Sequence, residues 1–162
     1  MKKAVVGKPV PDAQLQATSG KTFRLHDLQG RFAVLYFYPK DNTPGCTLEG
    51  QDFRDRYAQF KKLKTVVYGV SRDSLASHEK FKANLRFPFE LISDEDKKLC
   101  KLFDVIREKI LYGKKYLGVD RSTFILDHKG VLRKEFRGVK VKGHVDEVIE
   151  EIRKMQASTS KR

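Results

Sequence analysis

The apolar positions of the chain fall into short runs of strand character and longer runs with the 3.6-residue period of a helix. Residues 13–17 and 21–25 read as a short hairpin around Thr18-Ser19-Gly20, after a turn-rich entry from Gly7 to Pro11. Ala33-Val34-Leu35-Tyr36-Phe37-Tyr38 is a continuous apolar run stopped by Pro39, the pattern of a central strand buried on both faces. A loop of turn formers, residues 40–45, separates it from Phe53, Tyr57 and Phe60, which stand at helical spacing. Residues 65–70 predict a second buried strand, 74–84 a helix and 89–92 a third strand. Residues 94–103 predict another helix, capped by Ser93 or Asp94, with Leu99, Leu102 and Phe103 as its apolar stripe. Residues 122–126 and 131–136 flank Asp127-His128-Lys129-Gly130 as a β-hairpin with an Asx/Gly turn. The last helix carries Val145, Val148, Ile149, Ile152 and Met155 on one face. From Gln156 onward small polar residues predict a frayed tail.

Strands that alternate with helices need crossover connections, which lay helices on both faces of a sheet. The terminal hairpin then adds antiparallel strands to it. The expected architecture is an α/β, thioredoxin-like fold: a central mixed β-sheet flanked by helices, with an N-terminal β-hairpin extension. With no repeat, linker or low-complexity tract, residues 1–155 read as one domain and 156–162 as its tail.

Composition narrows the function classes. A chain of 162 residues with 40 % apolar residues has the size and make-up of one globular domain. No apolar run approaches the ~18 residues of a membrane-spanning helix. Met1-Lys2-Lys3 opens like a signal peptide, but Gly7-Lys8-Pro9 interrupts before an apolar region forms, so a cytoplasmic protein is expected. Lys and Arg number 34 against 21 acids, a net charge of +13, which raises nucleic acid as a partner. The cations are scattered, however, with Lys97-Lys98, Lys114-Lys115 and Lys140/Lys142 in separate segments and acids between them. They read as a solvated basic surface, and neither nucleic acid nor membrane is expected as a partner.

Metal and nucleotide chemistry lack a motif. His26, His78, His128 and His144 are dispersed without metal spacing, and residues 138–143 lack the ending of a phosphate loop. Ser77-His78-Glu79-Lys80 fits S-x-x-K but has no partner motif. Two cysteines, Cys46 and Cys100, make neither a disulfide framework nor a four-ligand zinc site. No metal or other cofactor is expected.

Cys46 follows the central strand and its turn, where the first long helix begins. A sulfur in that first turn faces unpaired backbone N–H groups and the positive end of the helix dipole, both of which favour thiolate over thiol. The bland alternative is a small buried hydrophobe. Pro44 and Gly45 instead make a tight, polar approach, and Thr43 stands where a dithiol motif would place its first cysteine. A hydroxyl cannot form a disulfide, but it can bond a thiolate or an oxygen substrate. The corner is suited to bring one thiolate to an oxygen atom.

Pro39-Lys40-Asp41-Asn42-Thr43-Pro44-Gly45-Cys46 matches the P-x-x-x-T-x-x-C signature of peroxiredoxins. The flanking Phe37-Tyr38, Thr47-Leu48-Glu49 and Phe53-Arg54-Asp55 resemble the bacterioferritin comigratory protein, or peroxiredoxin Q, subfamily. So do Gly69-Val70-Ser71, Leu91-Ile92-Ser93-Asp94 and Arg121-Ser122-Thr123-Phe124. The resemblance implies a thiol-dependent peroxidase acting on hydrogen peroxide and organic hydroperoxides. It makes Cys46 the peroxidatic cysteine, oxidised to a sulfenic acid. Thr43 then bonds the thiolate and peroxide oxygens, and Arg121 stabilises the thiolate and the leaving oxygen. Pro39 shields the sulfur, Pro44 and Gly45 shape the approach, and Glu49 joins the polar network around the arginine.

The chain departs from that subfamily in its second sulfur. Many members carry a resolving cysteine where this chain has Gln51, others near Ala83. Cys100, beside an apolar stripe, reads as a core residue, with a resolving role as its alternative. A one-cysteine cycle is therefore expected, with thioredoxin, glutaredoxin or a small thiol as reductant and a monomer or weak dimer as the working unit. Two other readings stay open: a slow redox sensor or chaperone-like protein, and a basic nucleic-acid-associated protein.

Overall fold

The computed structural model describes residues 2–160. In chain order its elements are β1 (Gln14–Ala17), β2 (Lys21–Arg24), a 3₁₀ turn (Leu25–Leu28), β3 (Phe32–Phe37), α1 (Pro44–Asp55) and α2 (Tyr57–Lys62). These are followed by β4 (Thr65–Ser71), α3 (Leu75–Leu85), β5 (Glu90–Ser93), α4 (Lys98–Leu102), β6 (Ile106–Leu111) and β7 (Lys114–Val119). The last elements are β8 (Ser122–Leu126), β9 (Leu132–Phe136) and α5 (His144–Ser160). Seven strands form one sheet in the order β2-β1-β5-β4-β3-β8-β9. Its centre, β5-β4-β3, is parallel, while β1 and β8 join it antiparallel on either side. The N-terminal hairpin is thus an edge of the sheet, and its Ser19-Gly20 turn has positive φ at both residues, the geometry of a type I′ turn.

The alternation along β3 explains its unbroken apolar run. Ala33, Leu35 and Phe37 enter one core with Val70, Ile92, Phe103 and Phe124. Val34, Tyr36 and Tyr38 enter the other, with Phe53, Phe60, Phe81 and Ile149. Both faces of this strand are covered, so no polar position is tolerated. Helices α1, α2, α3 and α5 pack on the second core, whereas α4 and the 3₁₀ turn cover the first. No helix among the described residues is long and apolar enough to cross a membrane.

The structure departs from the sequence expectations in four places. The pattern through Phe53 and Phe60 is two helices, broken at Arg56. The helix expected over 94–103 is reduced to Lys98–Leu102. Asp94 caps it from a distance, its buried carboxylate accepting the N–H groups of Leu99 (2.9 Å) and Cys100 (2.8 Å). Residues 106–119, for which no element was expected, form a separate β6–β7 hairpin with positive φ at Tyr112 and Gly113. Finally, residues 156–160 continue α5 rather than forming a tail, while 161–162 lie outside the described residues.

Candidate active site

The loop after β3 delivers Cys46 to the first turn of α1. Thr43 is the extended residue before the helix (φ −91°, ψ 153°), and Pro44 opens it. Proline suits that position because its fixed φ is helical and its missing N–H is not needed there. The first main-chain bond runs from the Thr47 N–H to the Thr43 carbonyl at 2.9 Å. The N–H groups of Gly45 and Cys46 therefore have no acceptor within the helix, and the positive end of α1 lies at the sulfur. Cys46 is 2 % exposed and packs in the core that holds Tyr36, Tyr38 and Phe53.

Arg121 reaches this sulfur through sheet register. Ser122 of β8 pairs with Phe37 of β3, so Arg121 falls one step beyond, where the cysteine loop begins. Its backbone is held on both sides: the Val139 N–H donates to its carbonyl at 2.9 Å, and the Asp120 N–H donates to Val105 at 2.7 Å. The guanidinium then forks. Nη2 donates to Cys46 Sγ at 3.5 Å and Nη1 to Glu49 Oε1 at 2.6 Å. Gly45 leaves the room for this, since a Cβ there would sit 3.0 Å from Nη2.

Glu49 lies three residues after Cys46, one helical turn along the same face of α1. It is wholly buried, and its Oε2 has no hydrogen-bond partner. Burial pushes its carboxyl up to about 7, against the opposing pull of Arg121. A carboxyl raised in the folded state binds a proton more tightly there than in the unfolded chain, whose value is 4.5. Its contribution to stability is complete below pH 4.5 and is lost as pH rises through about 7. The size is on the order of 3 kcal/mol. Glu49→Gln is therefore expected to be more stable than the native chain at pH 8 but not at pH 4.5, and denaturant titrations at the two values measure it. An equal effect at both would place the titration elsewhere.

The other predicted residues surround this fork. The Thr43 hydroxyl donates to the Lys40 carbonyl at 2.7 Å rather than to sulfur, which leaves its lone pairs to accept. Pro39 is half-buried at the start of the loop, and Pro44 is exposed. Cys100 does not join them: it lies on the opposite face of the sheet, in the core with Leu99 and Phe103. Burial, and then Asp94 beside it, push its thiol well above the usual range. Gln51 is half-buried in α1, and Ala83 is exposed on α3.

Two histidines that sequence spacing set aside lie close by. His144 Nε2 and the Thr123 hydroxyl share a hydrogen bond of 2.7 Å. Burial and the Arg121 charge push His144 down to about 4, so it is neutral and the guanidinium is the cation at the sulfur. His78 is fully buried against Asp41, inside the cysteine loop itself. Asp41 was legible as a loop residue within the motif, but its partner on α3 had no local signal.

The AhpC/TSA family model matches residues 6–135. The chain is 47 % identical to peroxiredoxin Bcp of Bacillus subtilis, over 93 % of this chain and 96 % of that one. It is 48 % identical to peroxiredoxin Bcp of Xanthomonas campestris, over 85 % and 86 % of the two chains. Its fold superposes on the Xanthomonas campestris bacterioferritin comigratory protein, solved in trapped intermediate and ligand complexes, with a TM-score of 0.85 at 45 % identity, covering 88 % and 91 %. A cysteine-to-serine variant of Xylella fastidiosa PrxQ matches with a TM-score of 0.90 at 38 % identity, covering 96 % and 99 %. With the family model and these relatives matching over most of its length, the protein belongs to the AhpC/TSA family as a peroxiredoxin of the Bcp and peroxiredoxin Q group, a thiol-dependent peroxidase.

Proposed function

We propose that Cys46 is the peroxidatic nucleophile of a one-cysteine cycle, with Thr43 and Arg121 as the residues that bind and activate the peroxide. The observation that carries this reading is the Arg121 Nη2 contact with Cys46 Sγ, 3.5 Å, at the N-terminus of α1. The guanidinium and the helix end both set positive charge beside the sulfur, and both stabilise the charge that develops on the leaving oxygen. Thr43, whose proton is committed to Lys40, accepts the O–H of the hydroperoxide and aligns its O–O bond with the sulfur. Sulfur attacks the terminal oxygen, the O–O bond breaks, and the departing alkoxide or hydroxide takes a proton to leave as alcohol or water. Cys46 is left as a sulfenic acid.

An external thiol then attacks the sulfenic sulfur, releasing water and forming a mixed disulfide. A second thiol displaces Cys46 and leaves with the first as a disulfide. Thioredoxin, glutaredoxin or a small-molecule thiol fills this role in a cytoplasmic monomer or weak dimer. The placement of Cys100 in the other core supports an outside reductant. Because Cys46 is buried, that thiol reaches it only after the first turn of α1 opens locally. Pro39 shields the sulfur from bulk water, and Pro44 shapes the approach to it. Glu49 holds the arginine, and Gly45 leaves its path clear.

The test is one equivalent of hydrogen peroxide on the reduced protein with a sulfenic-acid trap, read by intact non-reducing mass spectrometry. A single adduct on Cys46 is expected. A loss of about two mass units mapped to Cys46–Cys100 would overturn the one-cysteine cycle. No reaction at Cys46 would overturn the nucleophile.

A further inference from the structure

His78 is a buried side chain near the cysteine loop that the cycle above does not use. It sits on α3, wholly buried, and both ring nitrogens face acceptors. Nε2 lies 3.0 Å from the Ile92 carbonyl of β5, and a carbonyl only accepts, so Nε2 carries a proton. Nδ1 lies 2.7 Å from Asp41 Oδ2. The other contacts of that carboxylate are donors as well: the Tyr38 hydroxyl to Oδ1 at 2.7 Å and the Ser77 hydroxyl to Oδ2 at 2.8 Å. Burial alone would raise Asp41, yet the bonds from His78, Tyr38 and Ser77 hold it below the ordinary carboxylate value. The ring is bonded at both nitrogens and is enclosed with the Asp41 carboxylate in the core.

The position of Asp41 gives this pair its consequence. It stands between Pro39 and Thr43, in the loop that carries Cys46 into α1. Its main chain is tied as firmly as its side chain, because its N–H donates to Asp73 Oδ2 at 2.9 Å. The same oxygen accepts the Ser71 hydroxyl at 2.5 Å, and the Ser93 hydroxyl donates to the Asp73 carbonyl at 2.7 Å. The loop is thereby fastened to α3, to the turn after β4 and to β5. Asp41, Asp73 and His78 bring potential ligand atoms within 4.8 Å of one another. Their hydrogen bonds to one another and to Tyr38, Ser71 and Ser77 make the cluster a clamp.

We propose that His78 is a positioning residue for peroxide reduction: through Asp41 it holds the loop that sets Thr43 and Cys46 against Arg121. This rests on the peroxidase reading of Cys46, and it concerns a residue that touches neither the sulfur nor the guanidinium. Without the His78 ring, the buried Asp41 carboxylate loses its 2.7 Å bond to Nδ1, and the loop moves to hydrate it. A shift of about 1 Å in a reacting group is enough to cost on the order of 100-fold in rate.

The experiment compares single-turnover oxidation of Cys46 by hydrogen peroxide in His78→Leu, His78→Asn and Asp41→Asn, using quenched flow and mass spectrometry. Thermal melts of each variant establish that it is folded at the assay temperature. His78→Leu is expected to oxidise roughly 100-fold more slowly, whereas reduction of its sulfenic acid by dithiothreitol is not slowed, since only the peroxide step needs the closed loop. His78→Asn keeps a donor at the Nδ1 position and recovers to within about tenfold of the native rate, although it loses the Ile92 bond. Asp41→Asn retains His78 and the Tyr38 acceptor but removes the charge, and it slows oxidation even where His78→Leu fails to fold. Native oxidation rates in folded His78→Leu or in Asp41→Asn would overturn the proposal, as would His78→Asn no faster than His78→Leu. A native Cys46 that does not react with peroxide would instead overturn the peroxidase reading.

Discussion

Cys46→Ser is expected to abolish peroxide turnover, by at least about 10⁴-fold, while the chain remains folded. Serine is close to cysteine in size, and it can accept the hydrogen bond that Arg121 donates to the sulfur. Its hydroxyl is hardly ionised near neutrality and is a poor nucleophile toward an O–O bond, so the site is kept and the chemistry removed. Peroxide consumption with dithiothreitol as electron donor measures the loss, and a melting curve checks the fold. Cys100→Ser is the matched control. It is buried in the other core, so a stability cost of about 1 kcal/mol is expected with turnover retained. If Cys100→Ser keeps single-turnover oxidation but loses thiol-driven turnover, the one-cysteine cycle is wrong.

Arg121→Met is expected to slow oxidation of Cys46 by roughly 10²–10³-fold, the cost of removing one preorganised charge donor. Arg121→Lys recovers only part of this. An ammonium is a point charge and cannot hold Glu49 and Cys46 from two nitrogens as Nη1 and Nη2 do, at 2.6 and 3.5 Å. The variants also separate catalysis from stability. Arg121→Met leaves Glu49 buried without its cation, so its carboxyl rises further and the fold weakens at alkaline pH. Adding Glu49→Gln to Arg121→Met removes that burden and restores stability but not rate. Recovery of rate in the double variant would mean that the arginine serves the fold rather than the sulfur. Stopped-flow oxidation and denaturant titration of the same four proteins decide between the two.

Much of the site was legible before any coordinates. Thr43, Pro44, Gly45 and Cys46 are neighbours in the chain, and a helix beginning at Pro44 dictates what surrounds the sulfur: unpaired N–H groups and a dipole end. Glu49 follows from the same helix, one turn on. What the motif does not show is that the turn brings the Lys40 carbonyl within 2.7 Å of the Thr43 hydroxyl, which donates to it. The β6–β7 hairpin was missed for a physical reason. Its strands mix lysine with Ile110, Leu111, Tyr116 and Leu117 on exposed positions, so no alternation marks a buried face. Its turn is Tyr112-Gly113, without the asparagine or aspartate that usually announces such a turn. The helix over 94–103 was overdrawn because Asp94 caps from several residues away, across a turn that periodicity cannot resolve.

By itself the sequence determined the strands and helices of the sheet, the placement of Cys46 at a helix start, and the chemistry of a single sulfur facing an oxygen. Each of these depends on residues within a few positions of one another, where backbone sterics and side-chain periodicity act directly. Only the tertiary structure decided which cysteine faces which core, since Cys46 and Cys100 differ by the face of the sheet on which they lie. The resemblance had already placed Arg121 with Cys46, 75 positions away, but only the structure showed the register that brings them together, and only it joined His78 to Asp41 across 37. Those meetings depend on strand order and register, and one step of register would carry a side chain to the other face.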